Sequence, residues 1–123
     1  MKQVSILLFI CLTAIISCKK KDSKAVFIRI SNQSAYTFEH VIVNTYNQPI
    51  NYGQIQQGQN SVYMKFDVAY RYAHIRLTAG GKEFILQPID FVGETTLASG
   101  KYTYSLSISD FNRGRLELKF KKD

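Results

Sequence analysis

Two histidines, His40 and His74, are the only side chains of their type that could serve as the base of an acyl-transfer site. His40 lies within a predicted strand and His74 begins another. The sequence contains no Gly-x-Ser-x-Gly turn that would present a serine nucleophile. We therefore expect both histidines to have structural or solvent-facing roles.

Metal-binding spacings are also absent from the sequence. There is no H-x-x-x-H, no C-x-x-C and no acidic D-x-D-x-D loop. The carboxylates that could pair for glycoside hydrolysis are scattered without a pattern: Glu39, Asp67, Glu83, Asp90, Glu94, Asp110 and Glu117. We expect no metal, no cofactor and no enzymatic activity.

The first 17 residues have the plan of an export signal. Lys2 supplies a positive charge, residues 4–16 are apolar almost without interruption, and Ser17 is a small residue before Cys18. As a helix the apolar segment would reach only about 20 Å, short of the roughly 30 Å core of a bilayer. The pattern therefore predicts a cleaved signal rather than a permanent span.

The stretch Ile15-Ile16-Ser17-Cys18 resembles the lipobox of bacterial lipoproteins, although Ile16 stands where that family usually has a smaller residue. The resemblance implies cleavage between Ser17 and Cys18 and lipidation of the Cys18 thiolate, where each buried CH₂ adds about 0.8 kcal/mol of membrane affinity. Since Cys11 leaves with the signal, the mature chain has no second cysteine for an intramolecular disulfide. The alternative is an ordinary cleaved signal followed by an incidental cysteine.

Residues 18–24 are predicted to be a lipidated cysteine and a basic tether. The tether lysines could lie on anionic headgroups or could simply be solvated. Residues 25–123 hold eleven Lys and Arg against eight Asp and Glu, so the folded part is only mildly basic. We do not expect a nucleic-acid partner.

Alternation of large and small or polar side chains dominates residues 25–123. It predicts strands at residues 102–109 and 115–121. Gly80-Gly81 predicts a hairpin between residues 74–79 and 82–87, because a two-residue primed turn needs positive φ. Further strands are expected at residues 26–30, 37–45 and 61–66, with a weaker one at 52–55.

A helix over residues 62–77 is the alternative for one segment, because five apolar residues there also fall at helical spacing: Val62, Phe66, Ala69, Ala73 and Leu77. The same stretch is rich in Tyr, Val, Phe and Ile and leads into the Gly80-Gly81 turn. Two strands with a break near residues 67–70 fit better.

Seven to eight short strands predict an all-β domain, an antiparallel β-sandwich over residues 25–123. Residues 97–102, Leu-Ala-Ser-Gly-Lys-Tyr, resemble the tyrosine-corner region of immunoglobulin-like and fibronectin type III-like domains. The resemblance implies that the Tyr102 hydroxyl bonds back to the preceding loop. The chain lacks the core tryptophan and the cysteine pair of immunoglobulins.

The middle of the chain is rich in tyrosine and amide side chains, which are typical of recognition surfaces. The candidate binding residues are Tyr46, Tyr52, Tyr63, Tyr70 and Tyr72, with Phe91 as a further apolar candidate in a predicted loop. The alternative is that the tyrosines are amphipathic edges of the sandwich and the amides a solvated loop. Likewise, the basic residues near the last strand could bind an acidic polymer or could protect a sheet edge.

These features together predict a small lipoprotein of the bacterial cell envelope, anchored to a membrane through Cys18. The lipoprotein resemblance implies the outer membrane rather than the inner one, because Lys19-Lys20 stands where lipoproteins retained in the inner membrane of enterobacteria carry an aspartate. The expected role is a non-catalytic binding or assembly module with an envelope protein or a glycan as partner. A small envelope hydrolase, an inhibitor of one, and a structural subunit of a surface complex are the alternatives.

Overall fold

Eight strands make up the computed structural model, which describes residues 25–88 and 93–123. They are β1 (Val26–Asn32), β2 (Phe38–Asn44), β3 (Pro49–Ile55), β4 (Met64–Phe66), β5 (His74–Ala79), β6 (Lys82–Leu86), β7 (Gly100–Asp110) and β8 (Arg115–Lys122). They form two four-stranded sheets, with the orders β4-β1-β7-β8 and β3-β2-β5-β6. The predicted signal and tether, with Ser17 and Cys18, lie outside the described residues, as does Phe91.

The long β7-β8 hairpin follows from the alternation of its side chains. Tyr104 and Leu106 are fully buried and lie opposite Phe120 and Leu118 of β8, while Ser105 between them is on the other side of the sheet. Period-two burial of this kind is the property of a strand with one face on a core. The strands predicted at residues 102–109 and 115–121 are confirmed, each slightly longer than expected.

The predicted Gly80-Gly81 turn is also confirmed. Its two glycines have φ values of 56° and 76°, and the turn joins β5 to β6 in an antiparallel pair. Two constraints favour glycine at position 80. Its φ is positive, and a Cβ there would lie 3.1 Å from the Phe111 ring. A side chain at this position would therefore clash as well as strain the backbone.

Residues 62–77 do not form a helix, so that alternative was wrong. β4 and β5 occupy the two ends of the segment, and the residues between them form a loop. Ala69 and Ala73 are buried because this loop turns inward onto the core. Their helix-like spacing therefore comes from burial in a loop rather than from a helical face.

The expectation of a wholly antiparallel arrangement needs one correction, because β1 and β7 pair in parallel. After Asn32 the chain crosses to the other sheet, so no hairpin fixes the direction of β1 relative to β7. The strand order also differs from immunoglobulin constant-type domains, in which the first and second strands share a sheet. Here those two strands lie in different sheets.

The tyrosine-corner contact is present as predicted. The Tyr102 hydroxyl donates a hydrogen bond of 2.7 Å to the Ala98 carbonyl oxygen. Between them, Gly100 has a φ of 147°, a left-handed value that favours glycine. This contact fixes how the chain enters β7.

Both sheets contribute to a single buried cluster. Ile28 and Tyr104 come from one sheet, and Val43 and Leu77 from the other. The Tyr52 hydroxyl of β3 donates a 2.7 Å hydrogen bond to the Ile28 carbonyl oxygen in the opposite sheet. Burial raises the pKa of the Tyr52 and Tyr104 hydroxyls, so both remain un-ionised donors.

A buried asparagine at the end of β1 ties the strand to two neighbouring segments. Asn32 Nδ2 donates to the carbonyl oxygens of Tyr36 (2.7 Å) and Ile55 (3.0 Å). Asn32 Oδ1 accepts from the backbone N–H (2.9 Å) and the hydroxyl (2.7 Å) of Ser34. The amide thus makes all four hydrogen bonds of which it is capable.

We expect Asn32→Ala to lower the free energy of unfolding by about 1 to 3 kcal/mol, because it removes the buried hydrogen bond to the Ile55 carbonyl oxygen. Urea denaturation followed by circular dichroism measures the change. An exposed amide in the turn after β3 provides the control, and Gln57→Ala should change stability by less than about 0.5 kcal/mol. Equal effects of the two substitutions would contradict this role of the buried amide.

Candidate functional site

The five candidate tyrosines do not form one surface. Tyr52 and Tyr70 are only 9% and 8% exposed, whereas Tyr46 is 64% exposed. The Tyr70 carbonyl oxygen accepts a hydrogen bond from the buried Tyr104 hydroxyl, which holds the Tyr70 backbone against the core. Tyr52 and Tyr70 are therefore corrected from binding residues to core residues.

Tyr63 and Tyr72 lie on two different surfaces. Tyr63 is half-buried just before β4, beside Arg29 and Lys101. Tyr72, also half-buried, lines a groove between the ends of β6 and β8. These two surfaces are the candidate sites that the described residues offer.

The histidines belong to neither surface. His40 is exposed at an irregularity of β2 and has a φ of 51°, and His74 is half-buried at the start of β5. Within residues 25–88 and 93–123, no group of three or more His, Cys, Asp and Glu side chains could hold a metal ion. The same part of the chain contains no helix long and apolar enough to cross a bilayer.

The groove has apolar walls, and its cavity volume is about 670 Å³. Leu86 and Pro88 at the end of β6 form one side, and Leu118 and Phe120 of β8 form the other. The Phe120 ring stacks on the buried Tyr102 ring, with centroids 5.4 Å apart and an angle of 26° between the planes. The groove floor is therefore continuous with the core.

The rim of the groove is polar and carries both signs of charge. Arg71, Gln87 and Glu94 are exposed at its edges. A concave apolar surface with a few polar groups at its margin is the usual form of a binding site. Such a groove fits a partner with an apolar or ring-shaped centre and polar flanks.

The second surface is the side of the sheet β4-β1-β7-β8 that faces away from the core. Strand alternation and register place six cations on it, and we call this surface the basic face: Lys65 of β4, Arg29 of β1, Lys101 of β7, and Arg115, Lys119 and Lys121 of β8. The four lysines are exposed and Arg29 is half-buried. The sequence had pointed only to the basic residues near the last strand, which include the β8 members of this face.

A hydrogen-bonded carboxylate organises one end of the basic face. Asp123 accepts hydrogen bonds from the Tyr63 hydroxyl (2.7 Å) and the Thr103 hydroxyl (2.8 Å), and its Oδ2 lies 3.7 Å from Arg29 Nε. Desolvation by itself would raise the pKa of Asp123. The hydrogen bonds and the guanidinium outweigh it, so the pKa of Asp123 is lowered. Asp123 thus offsets part of the positive charge of Arg29 and Lys121, and the face as a whole remains positive.

Comparison with known proteins gives a likeness of fold. A protein from Eubacterium rectale has a similar structure. Its NMR structure superposes with a TM-score of 0.60 and 9% sequence identity, over 85% of this chain and 95% of that one. No family model and no curated protein matches the sequence.

Among the groove residues, only Tyr72 was predicted from the sequence as a binding residue. Leu118 and Phe120 alternate as core residues do, and the sequence does not show that they are left half-exposed between the two sheets. That position depends on where β6 ends relative to β8, which is a property of the packing between the sheets. Local sequence patterns carry no signal for it.

Proposed function

We propose that the chain is a lipid-anchored lipoprotein of the bacterial envelope whose two sheets form a β-sandwich and act as a non-catalytic binding module. The single buried cluster shared by both sheets supports the sandwich. The lipobox-like Ile15-Ile16-Ser17-Cys18 supports the anchor, with the outer membrane as the favoured membrane.

The observation that carries the binding role is the groove between β6 and β8. It combines apolar walls with an Arg71 and Glu94 rim. Leu118 and Phe120 remain half-exposed there although they sit in register with core residues. A partner that covered these side chains would gain about 25 cal/mol for each Å² of apolar surface removed from water.

The partner that suits this groove is an envelope protein segment or a glycan. Aromatic side chains such as Tyr72 and Phe120 offer faces for apolar groups or sugar rings, and the charged rim can fix orientation. Anchoring at Cys18 would hold the groove at a high local concentration near membrane-bound partners.

Site-specific photo-crosslinking in cells tests the groove. A benzophenone amino acid at Gln87, on the groove rim, should give a discrete cross-linked product. The same substitution at Gln54 is the matched control, because Gln54 is also an exposed glutamine but lies on β3 at the far edge of the other sheet. The Gln54 probe should give little or none of that product.

The partner class is determined by digesting the cross-linked product. If the partner is a protein, mass spectrometry of the digested product identifies its peptides. If the partner is a glycan, glycosidase treatment removes the mass shift of the product. The same product from both positions, or no product from Gln87, would contradict binding in the groove.

A further inference from the structure

The two outer faces of the domain differ in charge. The basic face carries four exposed lysines, Arg29 and Arg115, with Asp110, Glu117 and Asp123 as the acidic residues beside them. On the outer face of the other sheet, Arg76 lies near two exposed carboxylates, Glu39 and Glu83. The sheets therefore present a positive face and a weakly negative one.

We propose that the basic face lies against an anionic phospholipid bilayer, with its lysines next to the lipid phosphates. Lys101 and Lys65 flank Phe27 in the strand register, and Lys121 lies opposite Thr103 on β8. The cations are thus distributed over one face of a sheet, and a surface of many phosphates can contact several of them simultaneously. Lysines near an anionic surface attract it electrostatically.

The polar side chains that lie between the lysines can hydrogen-bond to phosphate groups. A depression of about 540 Å³ on this face is lined by Ser105, Ser107, Lys119 and Lys121, together with Gln33 and Phe120. Hydroxyl and amide donors beside ammonium groups are typical partners of phosphate oxygens.

The aromatic residues of the face fit the same ligand. Phe27 and Tyr63 are half-buried among the cations, and the Arg29 and Lys101 charges each lie 5.1 Å from the centre of the Tyr63 ring. Aromatic rings mixed with lysines are typical of surfaces that sit at the headgroup level of a membrane.

The position of β1 makes this orientation compatible with a lipid at Cys18, and in this respect the inference rests on the proposed anchoring. Seven residues lie between Cys18 and Val26, the first residue of β1, and the eight steps from Cys18 to Val26 can span about 26 Å when extended. Three strand spacings, about 14 Å, separate β4 from β8. The tether is therefore long enough for the whole face to reach the bilayer that holds the lipid.

Vesicle co-sedimentation tests the proposal without any lipid on the protein. The probe is the chain from residue 18 onward with Cys18→Ser, which contains all eight strands. It should bind vesicles of phosphatidylcholine mixed with phosphatidylglycerol at low salt, bind pure phosphatidylcholine much more weakly, and be released as salt is raised. Since no acyl chain is present, a failure of lipidation in cells would not affect this result.

Removing lysines from the face should weaken binding to the mixed vesicles. We expect each lysine to contribute about fivefold to the affinity for the mixed vesicles. The affinity should therefore fall about 100-fold in the triple variant Lys101→Ser/Lys119→Ser/Lys121→Ser. Lys65→Ser/Lys101→Ser, which leaves the edge strand β8 unchanged, should lose about 25-fold and remains informative if the triple variant aggregates.

The matched control removes three exposed cations that lie off the face, by Arg76→Ser/Arg113→Ser/Lys122→Ser. Its net charge equals that of the triple lysine variant, and its affinity should fall by less than about tenfold. Equal losses in the two triple variants would overturn the proposal, because net charge alone would then explain binding. Unchanged binding by both lysine variants would also overturn it and assign the interaction to residues 19–24.

Two competitors distinguish a bilayer from other anions. Inorganic phosphate, at the phosphate concentration of the vesicles, should not displace the chain. Polygalacturonate, a soluble acidic polysaccharide, should compete only weakly. Displacement by phosphate, or tighter binding to polygalacturonate than to the mixed vesicles, would overturn the assignment to a lipid surface.

Discussion

Leu106→Ala is expected to lower the free energy of unfolding by about 2 to 5 kcal/mol. Leu106 is completely buried in the middle of β7, with β1 on one side and β8 on the other. Truncation removes apolar contacts and leaves a cavity that two hydrogen-bonded neighbouring strands cannot easily close. Because a domain of this size has a total stability of about 5 to 15 kcal/mol, the variant should be strongly destabilised or unfolded.

Chemical denaturation of the chain from residue 18 onward measures this effect. Ser109→Ala is the control, since Ser109 lies on the same strand but is exposed, and it should change stability by less than about 0.5 kcal/mol. If Leu106→Ala unfolds the domain outright, Leu106→Val gives a smaller and measurable loss. A change below about 1 kcal/mol for Leu106→Ala would show that the core does not depend on this strand.

Local patterns predicted the features of this fold that involve residues close in sequence. The β7-β8 hairpin follows from alternation and the β5-β6 turn from the positive φ that glycine permits, while the Tyr102 contact is what the tyrosine-corner resemblance of residues 97–102 implies. In each case, the residues that specify the feature lie close to one another in the sequence. Sequence alone was sufficient for them.

Features that depend on distant pairing were missed or only partly predicted. The parallel alignment of β1 with β7 joins segments about 70 positions apart, and nothing in either strand encodes the direction of its partner. β3 begins at Pro49, three residues before the predicted strand, because its first residues pair with the end of β2. Strand ends of this kind are set by the neighbouring strand.

The two buried tyrosines show the same limit for the candidate site. Tyr52 lies in β3 with its hydroxyl bonded to the opposite sheet, and Tyr70 lies in a loop that folds onto the core. A phenol ring suits either a core with a local acceptor or a recognition surface. The composition of the segment therefore could not separate the two, whereas the packing does.

Cys18→Ser is expected to abolish incorporation of labelled lipid and to move the protein from the membrane to the soluble fraction. Serine has nearly the shape of cysteine, but its hydroxyl is a far weaker nucleophile than a thiolate. Without the acyl chains, each of which contributes about 0.8 kcal/mol per buried CH₂, the remaining attachment is electrostatic. A high-salt wash should therefore strip the variant from membranes while the lipidated protein stays bound.

The second cysteine of the sequence provides the matched control. Cys11 lies inside the apolar segment that is proposed to be removed with the signal, so Cys11→Ser should leave both lipid labelling and salt-resistant membrane association unchanged. Lipid labelling of the Cys18→Ser variant, or its retention on membranes after the high-salt wash, would contradict anchoring at Cys18. Release by salt alone separates the two modes of attachment, because the basic face is screened by ions and an inserted acyl chain is not.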